Sequence, residues 1–232
     1  MPFRLHVWGE RACFTRPEMK AERVSYDVIT PSAARGILEA IHWKPAIRWV
    51  VTRLHVLKPI RFEAIRRNEV GARTKHPTAA QMAGGDLTDL RTLAPDERQQ
   101  RLTLALRDVA YVIEARFERT RYWGDRDTEA GHADIFARRA RRGQCFQRPS
   151  LGLREFGAHF MLIERNEDMP ACELPPDQRD RDLGFMLYDL DYRADAGLGF
   201  GDHRDARAAG SRFYRPVMRD GVIDVSERGE VG

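Results

Sequence analysis

The sequence predicts an α+β protein: a ferredoxin-like (RRM-like) domain in the order strand, helix, strand, strand, helix, strand, followed by a small antiparallel β-sheet. Three observations carry that expectation. Apolar and polar residues alternate along Arg4 to Trp8, Ile47 to Phe62 and Asp108 to Phe117, which is the period of strands with one covered face, and Phe156 to Ile163 reads as a further strand. Two stretches between these strands switch to helical spacing. A four-stranded sheet with both helices on one face buries those stripes together.

Taken in order, Arg4 to Trp8 stops at Gly9 and leads into a loop. Thr30-Pro31-Ser32 then opens a helix, with Thr30 as the cap and Pro31 as the first helical residue. Ala33, Ala34, Ile37, Leu38 and Ile41 follow on one stripe, and Pro45 ends the run. Ile47 to Phe62 is one long strand or two short ones, with Pro59 as a break or edge position. Residues 68–100 scatter Gly71, Pro77, Gly84, Gly85 and Pro95 among polar residues and read as a mobile insertion, in the form of a hairpin that orders on a partner. Glu129 to Arg142 is a short helix ended by Gly143. Met169 to Asp182, rich in proline and acid, reads as a linker, and Gly184 to Tyr192, Phe213 to Met218 and Val222 to Val225 as antiparallel strands. The domain boundaries are therefore 1–168, with the insertion at 68–100, and 169–232.

Composition narrows the function. No stretch approaches the eighteen or more apolar residues of a membrane span, and the N-terminus lacks a charged region followed by an apolar one, so a cytoplasmic protein without a membrane partner is expected. Cys13, Cys145 and Cys172 fit neither a disulfide framework nor a zinc motif and read as buried thiols. The net charge of +4 hides 39 basic residues, of which only Lys20, Lys44, Lys58 and Lys75 are lysine. Guanidinium groups clamp phosphates bidentately and stack on bases, so the arginine excess suits nucleic acid. The alternative is plain ion pairing with the 35 acidic residues.

Four segments carry a resemblance: Gly9-Glu-Arg-Ala-Cys-Phe-Thr-Arg-Pro-Glu-Met-Lys20, Ser25 through Thr30-Pro-Ser-Ala-Ala-Arg-Gly to Trp43-Lys-Pro45, Arg66-Arg-Asn-Glu-Val70, and Gly143-Gln-Cys-Phe with Leu151-Gly and Arg154-Glu-Phe156. They are similar to the Dvulg-subtype (subtype I-C) CRISPR-associated RAMP proteins, well over the first 165 or so residues and loosely beyond. The resemblance implies a ferredoxin-like domain and a reaction. The 2′-hydroxyl of repeat RNA attacks the adjacent phosphate and leaves a 2′,3′-cyclic phosphate and a 5′-hydroxyl, with side chains and no cofactor or metal serving as acid, base and cation. The implied partners are the stem-loop and 5′ handle of CRISPR RNA, the backbone and large subunits of the interference complex and, indirectly, target DNA. In the family a tyrosine just before Trp-Lys-Pro and a lysine–histidine pair opening the second helix form the catalytic trio. Here those positions hold His42, Gly131 and His132, so the resemblance implies that the two histidines divide the acid and base roles, with Lys44, Arg138 or Arg139 as candidates for the missing cation.

Arg138, Arg139 and Arg142 border the implied cleavage site and are candidates for phosphate contact, with a solvated helix face as the alternative. Arg66 and Arg67 are candidates for gripping RNA backbone, or for an ion pair with Glu69. Tyr26, Phe14 and Phe146 are loop aromatics beside arginines, of which Tyr26 is the candidate for stacking on RNA, while loop aromatics also anchor loops to a core. The leading reading is an endoribonuclease that keeps hold of the 5′ handle. The second is a handle-binding subunit with weak or no cutting, which Gly131 favours. An RRM-like module without this chemistry lacks the aromatic-rich strand signature, and a metallonuclease lacks a carboxylate constellation.

Overall fold

A computed structural model describes residues 2–19, 21–71, 76–85, 90, 95–191 and 210–225 of the chain. The N-terminal half is built on strand β1 (Phe3–Ala12), the two-residue β2 (Arg23–Val24), helix α1 (Pro31–Ile41), β3 (Ile47–Val56) and β4 (Phe62–Val70). The short α2 (Ala79–Gly84), the long β5 (Arg98–Arg119), α3 (Glu129–Arg141) and β6 (His159–Ile163) follow. Beyond them come α4 (Pro176–Arg179), β7 (Arg181–Asp182), β8 (Met186–Asp191), β9 (Gly210–Tyr214), β10 (Val217–Arg219) and β11 (Val222–Asp224). The result is a mixed α/β structure dominated by one large antiparallel sheet, ordered β6-β1-β5-β3-β11-β10-β7, with β4 and the parallel β2 joined to β5.

Local chemistry explains most of these elements. Thr30 caps α1, its hydroxyl accepting from Ala33 N at 3.2 Å, and Pro31 occupies the first turn where its missing N–H is harmless. The apolar stripe Ala34, Ile37, Leu38 and Ile41 is buried against the sheet. Gly143, with φ of 64°, follows the last turn of α3 as a left-handed residue. Under both helices lies an aromatic floor, in which Phe136 of α3 packs 4.6 Å from Trp49 and 4.9 Å from Phe3, centroid to centroid.

Several sequence expectations are corrected. β1 does not stop at Gly9 but runs on to Ala12. Glycine stands there because a Cβ would come within 2.5 Å of Leu151 Cδ1, a close approach and not a turn. The stretch Ile47 to Phe62 divides at Pro59 into β3 and the start of β4. The 68–100 stretch begins and ends within a strand pair and is thereby anchored to the sheet: β4 and β5 pair from Phe62↔Leu106 to Val70↔Arg98, which takes in Asn68–Val70 and Arg98–Gln100, while α2 lies between them. Of that stretch, residues 72–75, 86–89 and 91–94 lie outside the described residues.

The C-terminal region is not a sheet apart. β11 pairs with β3 and draws β10 and β7 into the large sheet, and among the described residues β8 and β9 make a separate ribbon, packed on α1. Met169 to Asp182 is no free linker. Glu173 N donates to Leu57 O at 2.7 Å, and Leu174 is buried in the same apolar cluster as Leu5, Met218 and Ile223. Of the cysteines only Cys13 is buried, Cys172 being exposed. Among the described residues, no helix is long and apolar enough to cross a membrane.

Candidate active site

The end of α1 and the start of α3 meet over the aromatic floor. His42 is the C-cap of α1, and its backbone is fixed on both sides. Its N–H donates to Leu38 O at 3.0 Å, and its carbonyl accepts from Trp49 Nε1 at 2.8 Å. His132 lies in the first turn of α3, its own N–H donating to Thr128 O at 3.0 Å, on the inward stripe it shares with Phe136 and Ala140. These two backbones bring rings 90 residues apart in sequence into contact. His42 Nε2 lies 3.0 Å from His132 Nδ1, with the side chains 2% and 3% exposed.

A third member completes the line. Asp127 Oδ1 lies 3.1 Å from His132 Nε2, while Asp127 Oδ2 accepts from Gly124 N at 3.0 Å. The Gly124 amide, with His132 beside it, holds the Asp127 carboxyl below the usual carboxylate range. Burial, then the neighbouring His132, Arg139 and Lys44, pushes the His42 imidazole down to about 4, so it is neutral at pH 7. Trp123 and Phe117 close round His132, with ring centroids 5.4 and 6.1 Å away. Asp127 and Trp123 were not singled out in the sequence. The available signal was an acid just ahead of a helix start that carries an inward histidine.

His42 opens on a cleft of about 590 Å³ between α1, α3 and the segment 146–147, lined among others by Trp43, Lys44, Arg139 and Phe146. Phe146 N and Gln147 N both donate to Ala40 O, which docks that segment on α1 and leaves the Phe146 ring 88% exposed at the rim. Lys44 is exposed and lines the same cleft. Arg139 lines it too, while one guanidinium N–H donates to Ile41 O at 2.8 Å and closes the end of α1. Arg138 on α3 and Arg142 at its C-cap are exposed and make no ion pair among the described residues. Gly131 donates its N–H to the Thr128 hydroxyl at 3.0 Å, and a Cβ there would stand 2.8 Å from that oxygen.

Other candidates fall elsewhere. Tyr26 is corrected from a stacking residue to a core one. It is 1% exposed and its ring faces the Arg16 guanidinium at 4.5 Å, so no base can reach it. Phe14 is likewise buried. Arg66 and Arg67 sit on β4, away from the cleft. Arg67 turns inward and pairs with Glu69 and Glu155, whereas Arg66 points outward, exposed.

Comparison with known proteins gives a consistent set of likenesses. The family model of the CRISPR-associated protein (Cas_Cas5) matches residues 3–226. The chain is 51% identical over 223 residues to a protein of Mannheimia succiniciproducens named CRISPR pre-crRNA endoribonuclease Cas5d, covering 96% of this chain and 93% of that protein. A protein of the same name from Thermus thermophilus is 42% identical over 194 residues, covering 84% and 75%. A crystal structure of a CRISPR-associated protein shares the fold with a TM-score of 0.65 at 24% identity, over 99% of this chain and 95% of that one.

Proposed function

Because this chain belongs to the CRISPR-associated protein (Cas5) family, we propose that it is the endoribonuclease that cuts the repeat RNA of a CRISPR precursor transcript and keeps hold of the 5′ handle. One observation supports this above the others: the two histidines at the family's catalytic positions, His42 and His132, are buried against each other, with His42 at the wall of a cleft. The domain reads as the ferredoxin-like arrangement. Its support is the neighbour order β6-β1-β5-β3, the fourth, first, third and second strands of the repeat-like unit once the β4 hairpin arm is set aside.

In the reaction, His42 takes the proton of the 2′-hydroxyl as O2′ attacks phosphorus. The O2′–P bond forms, the P–O5′ bond breaks, and O5′ leaves with its electron pair and takes a proton from the Lys44 ammonium. Before that transfer the same ammonium offsets charge growing on the phosphorane, and Arg139 adds a second cation at the cleft wall. Phe146 and Trp43 at the cleft offer apolar ring surface on which an unpaired base next to the cut can stack. Exposed Arg138 and Arg142 reach backbone phosphates beyond the cleft, and Arg66 does so along β4.

The test is incubation of the purified chain with its repeat RNA in EDTA, beside His42→Ala and His132→Ala. Cyclic-phosphate ends that vanish in either variant are the expected result, whereas cutting that survives both variants refutes the assignment. A second reading has its own support in Gly131, where the family carries lysine: a handle-holding subunit of an interference complex with little cutting of its own. Tight RNA binding without cleavage by the unmutated chain would select it.

A further inference from the structure

We propose that Asp127, His132 and His42 act in series, so that a single atom, His42 Nδ1, accepts the proton of the RNA 2′-hydroxyl. This deepens the processing reading above and rests on it. The Asp127 carboxylate can only accept, so His132 Nε2, 3.1 Å away, carries a hydrogen. With that one ring hydrogen, the state proposed for the pair, His132 has a bare Nδ1. His42 Nε2, 3.0 Å from that atom, must therefore be the donor of the pair, which leaves the lone pair of His42 on Nδ1. Among the described residues His42 Nδ1 has no hydrogen-bond partner, and His42 lines the cleft, so this nitrogen is the one left for the RNA.

When the 2′-hydroxyl proton arrives on His42 Nδ1, the ring becomes an imidazolium whose Nε2 hydrogen can pass to His132 Nδ1. The positive charge then rests beside Asp127. His132 has both ring nitrogens committed, so it is a positioning residue and does not touch RNA. Asp127 is a second one, selecting the tautomer of His132 and through it that of His42. Two histidines dividing acid and base roles between the two RNA oxygens would each need a free nitrogen facing the substrate, and His132 has none to spare. The proton for O5′ must then come from outside the histidine pair, which leaves that part to Lys44.

The variant Asp127→Asn reverses the chain. The Gly124 amide already donates to the outer Asp127 oxygen, so the asparagine places its carbonyl there and turns its NH₂ toward His132. His132 then takes its hydrogen on Nδ1 and donates to His42 Nε2, so the hydrogen of His42 sits on Nδ1 and blocks acceptance. The experiment pairs two readouts on the full chain. Long-range ¹⁵N–¹H correlation of the imidazoles reads the tautomers, and single-turnover cleavage of repeat RNA is set beside its dissociation constant. The expected result is an Nε2–H tautomer for both residues in the unmutated chain and an Nδ1–H tautomer for both in Asp127→Asn. Cleavage should fall about 100-fold or more at unchanged RNA affinity, with recovery of about tenfold in Asp127→Glu. An Nδ1–H tautomer of His132 in the unmutated chain, or cleavage by Asp127→Asn within about threefold of it, overturns the relay. An unmutated chain that shows the expected tautomers but no cutting overturns the processing reading while leaving the hydrogen-bond order established.

Discussion

The two halves of β5 belong to different kinds of surface. From Val109 to Phe117 the strand lies between β1 and β3, with Tyr111, Ile113 and Ala115 buried and Phe117 turned toward Trp49 and His132. From Arg98 to Leu102 it pairs only with β4, and the shared outer face shows Leu102 at 42% and Phe62 at 39% exposed beside Arg66. The change falls at Asp108, which takes a φ of 51°, a conformation that aspartate tolerates better than most side chains. One half holds polar groups in fixed geometry because water is excluded. The other offers cations and apolar surface to something not yet bound. In the function proposed above, catalytic positioning and binding reach are thus separated along one strand.

The largest contrast should come from side chains that hold each half together. Trp49→Ala should cost about 3–5 kcal/mol in urea unfolding, since it opens the aromatic floor and leaves the buried His42 carbonyl without its donor. Leu102→Ala should stay within about 0.5 kcal/mol. A comparable loss at Leu102 would erase the distinction between the halves.

Acid should loosen the cleft before the hairpin. His42 is pushed down from its ordinary 6.5 to about 4 by burial and by His132, Arg139 and Lys44, with Glu39 and Asp127 the acids nearby. Between those values the unfolded chain binds more protons than the folded one. Its contribution, at most about 3 kcal/mol, is therefore complete above pH 6.5 and is lost as pH falls toward 4. Urea midpoints at pH 7 and pH 5 measure this, and the difference should shrink in His42→Gln.

Gly131→Lys sharpens the comparison from the catalytic side. The new side chain crowds the Thr128 cap, so about 1 kcal/mol of stability is lost, yet an added ammonium beside the cleft should raise single-turnover cutting about tenfold. A slower variant would show that Lys44 already fills the role. The smallest effects belong to the hairpin arginines. Arg66→Ala should weaken RNA binding a few-fold and lower the salt slope by about one, with no change in stability. Arg67→Ala, which breaks the pairs to Glu69 and Glu155, should instead cost about 1 kcal/mol of stability or less and leave the salt slope alone.

Reading the sequence alone already gave the two helices, because their signals are local: Thr30 and Pro31 at one start, Gly143 at one end, and apolar stripes between. It also singled out His42 and His132, through family-like motifs and not through any spacing between them. What it missed has a common cause. Asp127 and Trp123 are unremarkable in a polar turn until α3 folds back over them, and Tyr26 and Arg67 look available until burial and the carboxylates of Glu69 and Glu155 claim them.

The sequence by itself determined the helices α1 and α3 and the arginine-rich character, since capping, periodicity and composition are properties of neighbouring residues, and the two histidines were marked by motifs resembling the family's. Tertiary structure alone decided that residues 68–100 begin and end as paired strands, that the C-terminal strands join the main sheet, and that Asp127, His132 and His42 stand in line. Each of these is a contact between residues far apart in the chain, set by which backbone groups and rings must find partners once water is excluded.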